Sequence, residues 1–401
     1  MGMLAECVEW LESGEKTAAD LIALCRTRIA ERDQELRAWV EVAPQDPLRS
    51  GPLDGIPFGV KDIFETRGLP TEFGSPAYCG RKGLTDAALV TQLRSQGAVM
   101  MGKTQTTALA SFDPSPTRNP RNPGCTPGGS SSGSAAAVAA GMVPFALGSQ
   151  TQGSVIRPAS YCGVTGFKPT FGLLSLEGVL PFAPSLDTAG LFTQDADDML
   201  LLWSRMGYPA AASAPTVCAM PDVLDVEPEM ESAFRQNVNA LRAAGFRIEV
   251  IEFPDWADLL AASRLVSQYE GSRTHEAAWR QHGIRLGAKV AHLIADGLQF
   301  PESRYSHALA VIGEVKKKMD AVFREYPVLL TPAAPGPAPC GLDSTGDPRM
   351  NSTWTALGTP AISIPMAWVG AMPLGLQMTA RRGEDAMLLN FALTAFHLQT
   401  K

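Results

Sequence analysis

Short apolar segments alternate with segments of helix length along most of this chain, and that alternation restricts the fold more than any other feature. Residues 85–96 have helical periodicity, and residues 98–101 are apolar and of strand length. Strands and helices in alternation pack as layers, so the sequence predicts an α/β fold in which helices flank a mixed β-sheet. The same alternation predicts a helix at 229–244. It also predicts strands at 216–220, 247–253, 328–330, 361–365 and 374–379.

Helical patterns dominate two further regions. Amphipathic helices are predicted at 2–13 and 17–33. From residue 256 to about 326 the pattern is mostly helical, with one pronounced break at 299–301. No internal repeat or long polar linker divides the chain. We therefore expect a single domain over residues 1–401, with a helical subregion at about 256–326.

Composition and charge argue against several classes of protein. Of the 401 residues, 45% are hydrophobic and 19% are charged, which is typical of a compact globular chain. The formal net charge of −7 argues against nucleic acid or an anionic membrane as the main partner, because both attract basic patches. No run of about 20 apolar residues predicts a membrane span. The acidic, amphipathic N-terminus is unlike a signal peptide, so we expect a cytoplasmic protein.

The cysteines and histidines do not predict a metal site. Seven cysteines are scattered along the chain without a C-x-x-C pair, which fits neither a disulfide framework nor a zinc site. Reduced and mostly buried thiols are the simpler interpretation. His275-Glu276 begins like a metalloprotease helix, but Trp279 stands where the second histidine is needed.

Two short motifs suggest other chemistry but lack its context. Residues 97–104 (GAVMMGKT) match the phosphate-binding loop, yet a helix precedes them and their variable positions are apolar and strand-like. Residues 129–133 (GSSSG) match the nucleophile elbow of α/β-hydrolases, which must follow a buried strand. Prolines at 120, 123 and 127 prevent such a strand. Nucleotide binding through Lys103 stays an alternative from a different functional class.

Three segments combine into one chemical hypothesis. Lys61 ends the apolar run GIPFGVKD, where burial would lower the pKa of its amine and let it act as a base. Ser130 lies in TPGGSSSGSAAAVAAG, and Ser154 follows a glycine in LGSQTQGSVIRP. Each serine alone is more often a turn or cap residue. With Lys61 they supply a nucleophile, a hydroxyl that both donates and accepts, and a base.

These segments resemble the amidase signature family. The family's lysine matches Lys61, its cis-peptide serine matches Ser130, and its nucleophile matches Ser154 at the same 24-residue interval. Further likeness covers nearly the whole chain, including GKTQTTALA, CGVTGFKPTFG, SLDTAGLF and LGTPAISIP. The resemblance implies the amidase signature fold, no cofactor, and hydrolysis of a carboxylic amide through an acyl-enzyme on Ser154. In that mechanism Ser130 relays protons and Lys61 is the general base.

The resemblance also implies an oxyanion hole, which stabilises the negative oxygen of the tetrahedral intermediate. Its donors are the backbone N–H groups of Thr151, Gln152, Gly153 and Ser154. The family writes T-D-x-G-G-S where this chain has SQTQGS at 149–154, so Gln150 replaces an acid and Gln152 replaces a glycine. We expect these two changes to affect specificity more than activity.

Substrate recognition is predicted at three residues near the serines. A helical turn would bring Arg157 to the same side as Ser154, where a guanidinium can clamp a substrate carboxylate, as the likeness to shorter, malonamidase-like members suggests. A structural ion pair is the alternative for Arg157. Gly129 and Ser131, which flank Ser130, are the other candidates.

The partners are expected by analogy. A small-molecule amide is the expected ligand, and a homodimer follows only from related enzymes. An amidotransferase A-type subunit of the same family, which needs partner subunits, stays open as an alternative, although the chain is short for that role.

Overall fold

The architecture is one large mixed sheet flanked by helices. A computed structural model describes residues 2–211, 213–222, 224–253 and 255–399. Within these residues eleven strands form a single sheet in the order β1-β3-β2-β4-β6-β5-β10-β11-β9-β7-β8. The strands are β1 (Trp39–Gln45), β2 (Pro57–Lys61), β3 (Val99–Thr104), β4 (Phe145–Gln150), β5 (Thr165–Lys168), β6 (Thr188–Thr193), β7 (Val217–Pro221), β8 (Arg247–Ile251), β9 (Val328–Pro332), β10 (Ala361–Val369) and β11 (Met372–Ala380).

The helices connect and cover these strands. They are α1 (Met3–Ser13), α2 (Ala18–Leu36), α3 (Ala88–Ser95), α4 (Ser132–Ala139), α5 (Ile156–Cys162), α6 (Ala196–Arg205), α7 (Pro228–Ala243), α8 (Trp256–Thr274), α9 (Glu276–His282), α10 (Ala288–Gly297), α11 (Glu302–Glu325), α12 (Ser352–Leu357) and α13 (Asp385–Gln399). The predicted α/β class is confirmed. No helix among the described residues is both long and apolar enough to cross a membrane.

The sheet divides along the sequence. Strands β1–β6 form one contiguous half, and β7–β11 form the other. The halves meet where β5 pairs antiparallel with β10, with Phe167 opposite Ile362. In the first half β2 runs parallel to both β3 and β4, so it is buried on both edges. This central position explains why all five residues of β2 are buried.

Small residues let the two central helices pack closely. A Cβ on Gly133, in α4, would lie 2.2 Å from the carbonyl oxygen of Ala38, and one on Gly166 would lie 2.5 Å from the Cβ of Ala159. Every residue of α5 is buried, and that helix packs against β5, β10 and β11. The stretch rich in Gly, Ser and Ala therefore forms packed structure rather than a flexible linker.

The helical subregion consists of α8 to α11, with α8 in contact with α10, α11 and α12. The predicted break at 299–301 is present between α10 and α11. The expectation of a single break is wrong, because the helices also end at His275 and at 283–287. Gly287 has φ +134°, and Asp113 accepts hydrogen bonds from the N–H groups of Lys289 and Val290, which fixes the start of α10.

Element boundaries elsewhere differ in detail from the predictions. Helix α3 begins at Ala88 rather than at residue 85, and β3 extends to Thr104 rather than ending at residue 101. Helix α2 begins with a capping box in which Thr17 and Asp20 bond to each other's backbone N–H.

Candidate active site

Lys61 occupies the end of the central strand β2 with no exposed surface. Its Nζ lies 2.7 Å from Oγ of Ser130 and 2.8 Å from Oγ of Ser149. Burial lowers the pKa of Lys61 to about 7, because an ammonium loses hydration there, while the carboxylate of Asp187 opposes that shift. A large share of Lys61 is therefore neutral near pH 7. A neutral amine can accept a proton from Ser130 and donate one of its own hydrogens to Ser149.

Ser130 is held by its flanking backbone. The peptide bond between Gly129 and Ser130 is cis. The carbonyl of Ser130 accepts a hydrogen bond from the N–H of Thr107 at 3.3 Å, and Ser130 itself is buried. The hydrogen bond from Thr107 therefore holds the backbone of Ser130 in place while its Oγ contacts Lys61.

Ser131 positions the second partner of Lys61. Its Oγ donates to the carbonyl of Ser149 and accepts from the N–H of Ser149, both at 3.2 Å. These bonds fix the strand end that carries the Ser149 hydroxyl. Ser131 is not among the residues that line the cavity at Ser154. Its assignment to substrate binding stays a prediction, and its observed contacts are with the backbone.

Ser154 lies in the tight turn between β4 and α5. Among the described residues, the backbone N–H groups of Thr151, Gln152, Gly153 and Ser154 donate no hydrogen bond. Four consecutive unpaired donors beside a serine hydroxyl can receive a negatively charged oxygen. This is the local arrangement that an oxyanion hole requires.

The side chain of Gln150 holds the 151–154 turn through hydrogen bonds to the backbone that follows it. Its Oε1 accepts hydrogen bonds from the N–H groups of Val155 at 2.9 Å and Ile156 at 3.0 Å, and its Nε2 donates to Thr355. A carboxylate could accept the same two bonds, so the amide preserves the turn while removing a negative charge. Gln150 therefore keeps the two bonds that hold the turn, adds a donor to Thr355 and leaves the site without the negative charge of an acid.

A narrow cavity of about 30 Å³ reaches Ser154. Its walls include Thr151, Gln152 and Arg157. A wider pocket of about 450 Å³ adjoins it and shares the lining residues Phe112, Gln152, Ser267 and Pro348. Gln152, which replaces the family's glycine, projects to the border of the two and donates to Ser263. Gln152 therefore lines both cavities beside the nucleophile, and its effect on specificity stays a prediction.

Arg157 is the charged residue of this cavity and is only 3% exposed. Its backbone N–H bonds to the carbonyl of Gly153, so one helical turn places it beside Ser154. Its Nε donates to the carbonyl of Thr345 at 2.7 Å, and its Nη2 donates to the carbonyl of Gly129 at 2.7 Å. Among the described residues Nη1 has no hydrogen-bond partner and Arg157 forms no ion pair; Asp347, whose charge favours the charged form of Arg157, pairs instead with Arg264 and Arg349. The structural ion pair considered for Arg157 is therefore wrong.

Asp187 is a site residue that the sequence did not single out. Its Oδ1 accepts from Oγ1 of Thr151 at 2.5 Å, and its Oδ2 accepts from the N–H groups of Phe182 and Ala183. Burial raises the pKa of Asp187 to about 6, and these hydrogen bonds oppose the rise. The sequence feature that could have indicated Asp187 is the segment SLDTAGLF, in which this acid comes immediately before β6. Asp187 therefore holds the loop that carries the unpaired N–H groups.

Lys103, the lysine of the phosphate-loop motif, is inaccessible. It lies in β3 with no exposed surface and contacts Oδ1 of Asp62 at 3.2 Å. Its Nζ also donates to the carbonyl of Phe64 and to Oγ1 of Thr71. A lysine with these three partners inside the sheet is not open to a nucleotide phosphate.

Comparison with known proteins identifies the family. The family model described as Amidase matches residues 20–221 and 215–389. This chain belongs to the amidase signature family. The A-type subunit of the glutamyl-tRNA(Gln) amidotransferase of Chloroflexus aggregans is 30% identical over 452 residues, covering 94% of this chain and 92% of the relative. Indoleacetamide hydrolase of Pseudomonas savastanoi is 35% identical over 383 residues, covering 86% and 83%.

Solved structures agree with this membership. A crystal structure of an amidase superimposes with a TM-score of 0.89 at 29% identity, covering 97% of this chain and 98% of that one. The A-type subunit of the glutamyl-tRNA(Gln) amidotransferase of Thermotoga maritima superimposes with a TM-score of 0.83 at 27% identity, covering 97% and 93%. The proteins that this chain resembles include both a hydrolase and subunits of amidotransferases. The general amidase reaction is therefore the activity that family membership supports.

Proposed function

We propose that this chain is a serine amidohydrolase in which Ser154 attacks the amide carbonyl. The observation that carries the proposal is the buried amine of Lys61, 2.7 Å from Oγ of Ser130. Ser154 lies on the wall of a separate narrow cavity, next to four backbone N–H groups that are unpaired among the described residues. A buried lysine with a pKa of about 7 is available as a base at neutral pH. Ser130 connects this base to the nucleophile because a hydroxyl donates and accepts at once.

The proposed reaction proceeds through an acyl-enzyme. Neutral Lys61 takes a proton from Ser130, which takes one from Ser154 as Ser154 forms a bond to the carbonyl carbon. The N–H groups of the 151–154 turn stabilise the negative oxygen that results. The protons return along the same path to the leaving nitrogen, the C–N bond breaks, and ammonia or an amine departs. Water then attacks the ester on Ser154 with the same relay acting in both directions.

We further propose that the substrate is a small amide that carries a carboxylate. Arg157 supports this because it is a buried cation on the cavity wall with one unpartnered nitrogen and no ion pair among the described residues, although Asp347 favours its charge from a greater distance. A buried charge without a partner is costly, and a substrate carboxylate would supply the missing charge. Neutral Gln150 in place of an acid favours the same anionic ligand.

The experiment measures ammonia release from a panel of amides. The panel pairs the monoamide of a short dicarboxylic acid with its neutral methyl-terminated analogue, and adds an arylacetamide because one relative is named an indoleacetamide hydrolase. Release by the wild type that Ser154→Ala abolishes supports the nucleophile. Retained release in that variant would refute it.

Two arginine variants test the carboxylate clamp. Arg157→Leu should raise KM for the acidic amide at least tenfold more than for its neutral analogue, since a charged hydrogen bond contributes about 1.5–3 kcal/mol. Arg264→Leu is the matched control, because Arg264 lines the wider pocket but not the cavity at Ser154, and it pairs with Asp347 at 3.1 Å. An unchanged acidic-to-neutral ratio in Arg157→Leu would contradict the clamp.

An amidotransferase A-type subunit is the competing function, favoured by relatives that bear this name. The alignment with one of them spans 466 positions, more than the 401 residues of this chain, so segments of that relative have no counterpart here. Ammonia release by the purified chain alone supports a hydrolase. Release that requires glutamine and added partner subunits would instead support the transfer function.

A further inference from the structure

Two of the seven cysteines lie in direct contact. The Sγ atoms of Cys125 and Cys340 are 3.3 Å apart, although 215 positions separate them in the sequence. Both are free thiols, and Cys340 is exposed while Cys125 is buried. Nothing in the sequence indicates this pairing, because neither residue belongs to a recognisable cysteine motif.

The backbone around the two residues has the geometry of a cross-strand disulfide. Cys125 and Cys340 form an antiparallel bridge. The flanking hydrogen bonds run from Thr126 N–H to the carbonyl of Pro339 and from Gly341 N–H to the carbonyl of Gly124. This pattern makes the cysteines a non-hydrogen-bonded pair, in which Cα atoms are about 4.5 Å apart. That spacing falls within the range of about 4.4–6.8 Å that disulfides occupy.

The pair joins two segments that build the active site. Cys125 precedes Ser130 by five positions in the same irregular segment. Cys340 begins the loop that carries Thr345, which bonds Arg157, and Pro348, which lines the cavity at Ser154. A covalent link at this point would fasten the cavity loop to the segment of the proton relay.

We infer that Cys125 and Cys340 form a reversible disulfide that restrains the loop at 341–348. With glutathione disulfide as oxidant, the Cys340 thiolate attacks one glutathione sulfur and releases one glutathione thiolate. Cys125 then loses its proton and attacks the Cys340 sulfur, which releases the second glutathione. The two protein thiols lose two electrons and two protons, and the glutathione disulfide is reduced to two thiols.

The order of these steps follows from exposure. Cys340 reaches solvent and reacts first, whereas Cys125 is buried and reaches only its neighbour. Burial and the contact with Cys340 raise the pKa of Cys125 to about 11, so its thiolate is scarce at neutral pH. The second step should therefore accelerate with rising pH.

The experiment oxidises the reduced, full-length protein with glutathione disulfide at about pH 8, where more thiolate is present. Thiols are titrated in denaturant before and after, and the linkage is located by peptide mapping without reductant. The wild type has seven thiols and should lose the Cys125 and Cys340 pair, recovered as one linked peptide; a glutathione adduct on exposed Cys79 would lower the count by one more. Cys79→Ser removes the other exposed thiol and should lose the same pair. Cys340→Ser should lose none to an internal bond, and Cys125→Ser should retain a glutathione adduct on Cys340.

Hydrogen exchange tests the restraint separately. Amide exchange in 341–348 should slow after oxidation in the wild type and Cys79→Ser, and stay unchanged in Cys340→Ser. A different linkage, a link between two chains, or unchanged thiol content would overturn the disulfide. A formed disulfide with unaltered exchange would overturn the restraint. No amide substrate is used, so these outcomes are independent of the proposed hydrolase activity.

Discussion

The pH dependence of kcat/KM tests the central claim that Lys61 acts as the base. The pKa of Lys61 falls from 10.5 to about 7 because the amine is fully buried. That shift corresponds to about 5 kcal/mol of preference for the neutral form. Because the neutral amine is the active form, activity should rise with pH. Its neutral fraction is about 9% at pH 6, about half at pH 7 and about 91% at pH 8, so kcat/KM should increase about tenfold and then level off.

The assay is ammonia release from the preferred amide at low substrate concentration between pH 5.5 and 9, in buffers of constant ionic strength. If Lys61 kept an ordinary pKa, the rate would rise about a hundredfold between pH 6 and 8 and continue to rise at pH 9. Such a continued rise, or a flat profile, would refute the reasoning.

Asp187 requires a control because its pKa of about 6 lies in the same range. The carboxylate of Asp187 raises the pKa of Lys61, so removing its charge should lower that pKa further. In Asp187→Asn the midpoint of the rise should therefore move to lower pH. A midpoint that moves to higher pH would show that the rise of kcat/KM with pH reports the titration of a group other than Lys61.

Three other substitutions have defined outcomes. Ser149→Ala removes the hydroxyl 2.8 Å from Lys61, and steady-state kinetics should show a kcat about ten- to a hundredfold lower with little change in KM; an unchanged kcat would contradict its role. Lys103→Met breaks the buried pair with Asp62, and denaturant titration should show a free energy of unfolding about 3–5 kcal/mol lower. ATP binding by the wild type in calorimetry would argue against a purely structural Lys103. Gln150→Glu keeps two acceptors but adds a negative charge, so KM should increase several-fold for the acidic amide and little for the neutral one; equal increases would indicate a general disturbance.

The parts of the site that the sequence predicted are those coded by short segments. Lys61, Ser130 and the 151–154 turn each lie in a compact motif whose residue types restrict both backbone and chemistry. The segment rich in Gly, Ser and Ala was also informative. Glycine is the amino acid that lacks a Cβ, and at Gly133 a Cβ would clash with the carbonyl oxygen of Ala38.

The parts that the sequence did not predict depend on contacts between distant residues. Arg157 meets Thr345 across 188 positions, and nothing near Arg157 indicates whether a carboxylate will face it. The extra helix breaks also depend on distant contacts. A glycine such as Gly287 does not by itself predict a helix end, because a glycine inside a helix costs only about 1 kcal/mol of stability. The contact between Asp113 and the start of α10, 176 positions away, favours the break.

The division of the sheet into two sequential halves has a consequence for synthesis on the ribosome. Residues up to the end of β6 emerge first and carry Lys61, Ser130 and Ser154, but one edge of β5 then has no partner until β10 is made. An unpaired strand edge invites association with other chains, so the nascent protein should depend on chaperones during this interval. Thr345, which fixes Arg157, is translated after the whole helical subregion. The nucleophile is therefore made early and the wall of its cavity late, and a prematurely terminated chain should carry the reactive serine without a working enzyme.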